Sequence, residues 1–400
     1  MIYVFYFFAV VLVFLGWQSL RGGFFYLNFF RRELAKPESN YTPFCSIIAP
    51  CRGLDEGLEA NLDALFRQRF PDYEIIFVVD DEDDFAVPTI KKLIALHQSF
   101  RTKLIVAPKA INASQKIENL REGVLHVADA SKIMVFVDSD ARPNEDWLRN
   151  LIAPLKNEAI GCATGYRWFI SKKISFASEV RSVWNASIAS ALGANAPKNF
   201  CWGGSMAMRR DVFERLNVRE NWRGTLSDDF TVTRLMKAAN LPIYFVPQAL
   251  TATVESCDFR ELLEFSTRQM KITRVYAAHL WQASLIGSLI FTLVFWTGAA
   301  LLFFTAGVHF RLTFFLIALI FALGAGKAFL RWKAVKLVLK DYQKPLNRQL
   351  LSHLILWTIT PLLYFYNSLC ALFSRKICWR GIEYELKSAT EIVILSTNKS

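Results

Sequence analysis

Apolar and polar positions divide the chain into three regimes. Met1 to Leu20 is apolar throughout, long enough for one membrane-crossing helix. It has neither a basic start nor a small-residue cleavage site, so residues 1–21 are expected to form a retained anchor. In the following segment, 22–43, phenylalanines and a tyrosine stand beside Arg21, Arg31 and Arg32. It reads either as a helix lying on the headgroups or as the frayed end of the anchor.

From Phe44 to residue 257 short apolar runs alternate with helical-period stretches. Strands are predicted at 46–50, 74–79, 104–107 and 133–137, and helices at 58–66, 89–97 and 114–127. Strand, helix, strand in this order implies a parallel sheet with right-handed crossovers, an α/β fold. The later elements are less regular: strands at 161–166, 205–208 and 243–246, helices at 175–192 and 228–239. Residues 258–280 repeat Leu262, Leu263, Phe265, Ile272 and Val275 at helical spacing, with Arg268, Lys271 and Arg274 among them. This predicts a basic amphipathic helix along a membrane surface. Within 281–374, residues 281–307 and 312–329 form a hairpin of two spans. Residues 350–373 contain Pro361 and are either a third crossing or a re-entrant pair of half helices. The tail, 375–400, carries Arg375, Lys376 and Arg380, and positive charge favours keeping it on the cytoplasmic side.

Composition sharpens this picture. Hydrophobic residues make up 53% of the 400 positions beside 20% charged, and the excess lies in the terminal regions. The net charge of +12 flanks the apolar segments, as at Lys327, Arg331, Lys333, Lys336, Lys340 and Lys344. That pattern fits a multi-pass membrane protein whose α/β part is cytoplasmic, near anionic headgroups. No basic run interleaved with aromatics occurs in the α/β part, so nucleic acid is not an expected partner. The seven cysteines are odd in number and include no Cys-x-x-Cys pair, which argues against a disulfide framework or zinc site and for a reducing compartment.

Acidic groups recur at three element ends: Asp80-Asp81, Asp138-Ser-Asp140 and Asp228-Asp229. Asp138 and Asp140 emerge at the carboxyl end of a strand buried on both faces, where open α/β sheets bind ligands. Two adjacent carboxylates repel and suit a hard divalent cation that bridges them to phosphate oxygens. A polar turn after the strand is the plainer reading. Likewise, Asp228 and Asp229 after Ser227 are good helix-start residues in their own right.

The set as a whole resembles a known family. Ala49-Pro-Cys-Arg-Gly-Leu-Asp, Phe70-Pro-Asp-Tyr-Glu, Val79-Asp-Asp-Glu-Asp-Asp, Lys116-Ile-Glu-Asn-Leu, Val137-Asp-Ser-Asp, Gly203-Gly-Ser-Met-Ala-Met, Ser227-Asp-Asp-Phe and Trp379-Arg-Gly-Ile-Glu-Tyr occur in this order beside paired membrane segments. The pattern resembles the family-two glycosyltransferases of GT-A fold, and among them the ceramide glucosyltransferases. The resemblance implies a Rossmann-like GT-A domain over 44–257 that takes a UDP-sugar donor and a membrane-lipid acceptor. Asp81 would accept a hydrogen bond from uracil, and Asp140 with Asp138 would hold Mg²⁺ or Mn²⁺ on the diphosphate. Lys116 pairs with the diphosphate or stays a solvated helix residue. Asp229 would be the general base of an inverting transfer, and Trp202, Gly204 and Asp228 are candidate acceptor contacts, core or interface filler being the plainer reading of Trp202.

The family signature (Gln/Arg)-x-x-Arg-Trp stands here as Arg268-Gln-Met-Lys271-Ile272. Positive charge for the diphosphate is kept, but the Arg fork and the Trp platform are not. The implied acceptor is ceramide-type, with a hopanoid, sterol or diacylglycerol fitting equally, and the implied sugar is glucose or N-acetylglucosamine. A processive polysaccharide synthase and an inactive scaffold that binds nucleotide-sugar or lipid are the competing readings.

Overall fold

A computed structural model describes residues 2–397. The chain divides into two compact units, and their elements are numbered here in chain order. The α/β unit comprises Arg32–Lys172, Ala191–Glu255 and the segment from Arg375 onwards.

Its first half is β1 (Cys45–Pro50), α2 (Leu58–Phe66), β2 (Tyr73–Val79), α3 (Val87–Leu96), β3 (Arg101–Val106), α4 (Gln115–Gly123) and β4 (Ile133–Phe136). Every residue of β1, β2 and β4 is buried, which is why they read as unbroken apolar runs rather than alternating ones. The second half adds α5 (Trp147–Ile152), β5 (Cys162–Thr164), β6 (Arg167–Ile170), β7 (Met206–Arg209), α7 (Arg210–Arg215), α8 (Val218–Asn221), α9 (Asp228–Ala238), β8 (Ile243–Phe245) and β9 (Thr251–Val254).

The main sheet has the order β3-β2-β1-β4-β7-β5-β8. All its pairings are parallel except those of β7, which runs against both β4 and β5. The strand order reverses between β1 and β4, and the crevice beyond their carboxyl ends is where such sheets take ligands. Tight packing holds this edge in place. A Cβ on Gly123 would collide with Ile48 and Val78 of the sheet, so α4 lies closer to β1 and β2 than a larger residue permits.

Two features depart from the predicted elements. The strand expected over 161–166 stops at Thr164, and β6 pairs with β9 in a separate two-stranded sheet. A four-residue strand whose partner lies more than eighty positions away leaves little local signal. The expected tail is instead an antiparallel meander, β10 (Lys376–Trp379), β11 (Ile382–Ser388) and β12 (Glu391–Thr397). Ile377, Ile382, Tyr384, Leu386 and Ile392 are its buried face, a period of two within β11.

The helical unit comprises the segment up to Arg31, Lys173–Ser190 and Ser256–Ser374. Its main helix near the N-terminus, α1 (Ile2–Leu34), runs without a break through the residues where an anchor boundary was expected. α6 (Phe176–Ala189) belongs to this unit although it is inserted within the α/β sequence. α10 (Phe259–Tyr276) begins at a capping box in which Asp258 accepts from the Glu261 N–H at 2.8 Å and the Asp258 N–H donates to Glu261 at 2.9 Å. Reciprocal satisfaction of two orphan amide groups fixes that start.

α11 (Ala278–Leu301), α12 (Gly307–Val338), α13 (Gln343–Ile355) and α14 (Thr360–Phe373) complete the unit. Among the described residues three helices, α1, α11 and α12, are long and apolar enough to cross a membrane. The residues from Lys340 to Phe373 form a pair bent by 59° at a break just before Pro361, either a broken span or a re-entrant loop. Phe5, Ala9 and Leu12 of α1 pack with Val294, Phe295, Leu316, Ile317 and Ile320 of α11 and α12.

Glu74, buried in β2, accepts from the Ser46 hydroxyl at 2.6 Å and the Ala128 N–H at 2.7 Å, and pairs with Lys103 at 3.0 Å. Removing one partner of a buried charged network leaves the others unsatisfied. Glu74→Ala is expected to lower the unfolding free energy of the α/β unit by about 3 kcal/mol, as read by denaturant or thermal melting of the purified chain.

Candidate functional site

β4 ends at Phe136, so Asp138 and Asp140 lie just past its carboxyl end, in the crevice beside β1. Lys116 is the second residue of α4, which is capped by Ser114. Its ammonium sits 2.7 Å from Asp138 Oδ1 and 3.0 Å from Asp228 Oδ1. Asp228 opens α9 behind the cap Ser227, which receives the Phe230 N–H. Two helix starts and one strand end thus converge on a single ammonium group.

Arg167, at the start of β6, closes the other side. Its guanidinium lies 2.9 Å from Asp140 Oδ2 and 3.7 Å from Asp138 Oδ2, and it stacks over the Trp202 ring with 4.8 Å to the centroid. Trp202 also packs on Tyr166, so it is a buried platform. Gly203 and Gly204 follow because nothing larger fits. A Cβ on Gly203 would meet Asp228 and Lys116, and one on Gly204 would meet Trp202 and Asp138.

Asp229 is only half-buried. Its Oδ1 accepts from the Ser227 hydroxyl and from the Phe230 N–H, and its Oδ2 faces the Gly203 N–H at 3.5 Å. Asp138, Asp140, Lys116, Asp228, Asp229, Trp202 and Gly204 therefore lie together. Lys116 is not a solvated helix residue, being buried between two carboxylates.

Asp81 stands apart from this cluster. It is exposed and pairs with Lys109 at 2.9 Å, whereas neighbouring Asp80 is buried and is held by Arg52 and by Lys109 at 3.0 Å. Arg268 and Lys271 belong to the helical unit, where Arg268 lies over the Phe265 ring and Lys271 is 3.4 Å from the Ser374 hydroxyl.

Five residues at the site were not singled out from the sequence. Arg167 is one, and it has no motif around it. The others join Asp80 to the Asp138 loop. Arg52 bonds Asp80 and donates to the Arg380 carbonyl at 3.1 Å, Arg380 pairs with Asp55, and the Ser139 hydroxyl donates to Asp55 at 2.5 Å. Arg52, Asp55 and Arg380 lie within the quoted motifs at residues 49–55 and 379–384. Their signal was present, without anything to say that those segments meet.

Burial raises the energy of every charge here, and the partners decide the sign of each shift. For Lys116, burial is outweighed by Asp138, Asp228 and Asp229, which hold its pKa above the ordinary lysine value. For Asp138, burial is outweighed by Lys116 and Arg167, and the carboxyl stays below its ordinary value. Asp140 is pushed up by burial, with Arg167 opposing and Asp138 adding to the rise. Burial lifts Asp228 to about 6 against the pull of Lys116.

Asp55, Asp138, Asp140, Asp228 and Asp229 face Lys116, Arg167 and Arg380, leaving two negative charges unbalanced. Asp140 Oδ1 is buried and has no hydrogen-bond partner. A divalent cation fits both facts. No group of three or more His, Cys, Asp or Glu side chains among the described residues is placed to hold one. Asp138 and Asp140 would therefore supply two ligands, with phosphate oxygens or water completing the shell.

Because the folded pKa of Asp228 is raised, its contribution to stability is present below the unfolded carboxylate value and is lost as pH rises through about 6. Unfolding of the parent chain and of Asp228→Asn, compared between pH 4 and 7, should show the Asn variant gaining relative stability across that window. Lys116→Met leaves two buried carboxylates without their shared cation and is expected to cost about 3 kcal/mol at pH 7, measured in the same melts.

The sequence model of glycosyl transferase family 21 matches residues 5–392. Ceramide glucosyltransferase 1 of Caenorhabditis elegans is 26% identical over 97 residues, covering 24% of this chain and 21% of the relative. The ceramide glucosyltransferase of Candida albicans is 28% identical over 122 residues, covering 28% of this chain and 22% of the relative. The matched part thus spans about a fifth of these relatives' length. Among solved structures, a mannosyltransferase from Pyrobaculum calidifontis in complex with GDP-Man and Mn²⁺ aligns at 17% identity over 92% of this chain and 99% of that one, with a TM-score of 0.47. With the Rossmann-like sheet in place, and a family match over nearly its whole length, this chain belongs to glycosyl transferase family 21.

Proposed function

We propose that this protein transfers a hexose, glucose or N-acetylglucosamine, from a UDP-sugar to the hydroxyl of a membrane lipid, with inversion at the anomeric carbon. The observation that carries this reading is the acid cluster at the sheet's switch point, which leaves two negative charges unbalanced and one buried carboxylate oxygen of Asp140 unbonded. Such a centre suits a diphosphate delivered with Mg²⁺ or Mn²⁺.

Asp138 and Asp140 hold the cation. When bound, it offsets the negative charge that develops on the departing UDP. Lys116 and Arg167 orient the two carboxylates, and Lys116 favours the anionic donor electrostatically. Asp81 recognises the uracil ring. Asp229 takes the proton from the acceptor hydroxyl as that oxygen attacks the anomeric carbon opposite UDP. Its Oδ1 is already engaged by the Ser227 hydroxyl and the Phe230 N–H, which aims the carboxylate and leaves Oδ2 for the acceptor. A single displacement converts an α-linked donor into a β-glycoside. Trp202, Gly204 and Asp228 border the acceptor.

A lipid acceptor is supported by the helices long enough to cross a membrane and by the short stretches of similarity to ceramide glucosyltransferases. Ceramide is the first candidate, and a hopanoid, sterol or diacylglycerol presents the same hydroxyl chemistry. The α/β unit is cytoplasmic in this reading, where nucleotide-sugars are available.

The test is turnover of purified protein with UDP-sugars, Mn²⁺ and a lipid panel. UDP release together with a monoglycosylated lipid is the expected result, and a lengthening polymer or binding without release would refute it. Asp229→Asn is expected to lower transfer by roughly a hundred- to ten-thousand-fold, the usual range for a general base, with UDP affinity unchanged. Asp140→Asn should remove the metal dependence of UDP binding, as read by calorimetry with and without Mn²⁺.

A further inference from the structure

The β10–β11 connection is a two-residue turn, because Trp379 pairs with Ile382 across Arg380 and Gly381. Both turn residues have positive φ, 50° at Arg380 and 74° at Gly381. Tight hairpins of this kind favour Asn-Gly, since Asn tolerates the left-handed region better than a long side chain does. An arginine at the first position therefore sits against its backbone preference, and a residue held in that way points to a use for its side chain.

The use is visible in its contacts. The guanidinium pairs with Asp55, whose side chain is almost wholly buried, and Asp55 in turn receives the Ser139 hydroxyl at 2.5 Å. Ser139 lies between Asp138 and Asp140, and its carbonyl receives the Asn61 amide at 3.1 Å. The Arg380 carbonyl is held by Arg52, which bonds Asp80. On the next strand, the buried Tyr384 hydroxyl receives the Gln115 N–H at 3.2 Å, at the start of the helix that carries Lys116. The meander thus grips the site at two places, one leading to the acidic loop and one to the helix that supplies its lysine.

We infer that the β10–β11 turn is a working part of the donor site and that Arg380 is a positioning residue, acting through Asp55 and Ser139 to set the Asp138-Ser139-Asp140 loop for a nucleoside diphosphate with its divalent cation. This inference rests on the proposed donor chemistry. Without the guanidinium, Asp55 keeps a buried negative charge and the hydroxyl bond that orients Ser139 loses its anchor. The acidic loop is then free to sample geometries that do not present both carboxylates to one cation. The relay's own bonds run through Asp55 to Ser139 and through Arg52 to Asp80, and it meets the acceptor side only through the loop itself, where Arg167 joins Asp138 and Asp140 to Trp202.

The discriminating variant is Arg380→Asn, which deletes the guanidinium while placing a residue well suited to the turn. The full-length chain in detergent is titrated with UDP and Mn²⁺ by thermal shift, its turnover is measured against donor and against lipid, and hydrogen exchange is followed across residues 137–142. Arg380→Asn is expected to exchange faster across 137–142 and to raise the donor KM at least tenfold with a much smaller change in the lipid KM. Arg380→Lys should recover part of that loss. Ser139→Ala, which cuts the relay at its other end and leaves the turn intact, should reproduce the donor defect. Parent-like exchange across 137–142 in both Arg380→Asn and Ser139→Ala would overturn the inference, as would equal effects on donor and lipid KM. A parent chain that binds no UDP with Mn²⁺ sinks the donor reading instead, and the exchange data still report whether Arg380 sets the loop.

Discussion

The α/β unit is organised by the cost of burying charge. A carboxylate taken out of water is tolerated only when paired and hydrogen-bonded, yet Asp138, Asp140 and Asp228 are all largely withdrawn from solvent at one edge of the sheet. The surrounding architecture answers that demand. Lys116 is shared between Asp138 and Asp228, Arg167 spans Asp138 and Asp140, and Gly203-Gly204 lets them approach where a side chain would intrude. The compensation is incomplete by two charges, and the shortfall is the feature most directly tied to the proposed chemistry. An environment that neutralised every acid would have no affinity for a divalent cation.

The sheet supplies the precision this arrangement needs. Parallel pairing of β1 with β2 and β4 sends their carboxyl ends to the same side, and α4 is drawn against them by the absence of a side chain at Gly123. Lys116 pairs with both Asp138 and Asp228, and Asp228 sits at a helix start, where backbone N–H groups favour its negative charge. The same carboxylates are met from several elements at once, from α4 by Lys116 and from β6 by Arg167.

Much of this was legible in the residues themselves. The unbroken apolar runs of β1, β2 and β4 announced buried parallel strands, and the three acidic pairs marked element ends. What periodicity could not convey was which remote pieces meet. Arg167 lay outside every predicted element, one position past the strand expected at 161–166, and its role depends on acids more than twenty-five positions away. β6 and β9 were missed for the same reason. The meander of β10 to β12 carried the alternation of Ile382, Tyr384 and Leu386 in plain view, but the basic residues around it read as a membrane-flanking tail. Asp80 and Asp81 are adjacent in sequence and opposite in exposure, a distinction invisible to composition. The long α1 helix shows the converse case, where a change of composition near Arg21 suggested a boundary that the backbone ignores.

The α/β unit is also discontinuous along the chain, since its last three strands follow α14. During synthesis the ribosome therefore releases the whole seven-stranded sheet and the β6–β9 pair early and the separate three-stranded meander late, after every long apolar helix has emerged. Until then Asp55, which receives the Ser139 hydroxyl, lacks its Arg380 partner. Chain order thus puts every long apolar helix ahead of the meander, and a chain stalled before residue 375 would carry those helices while lacking Arg380 and Tyr384.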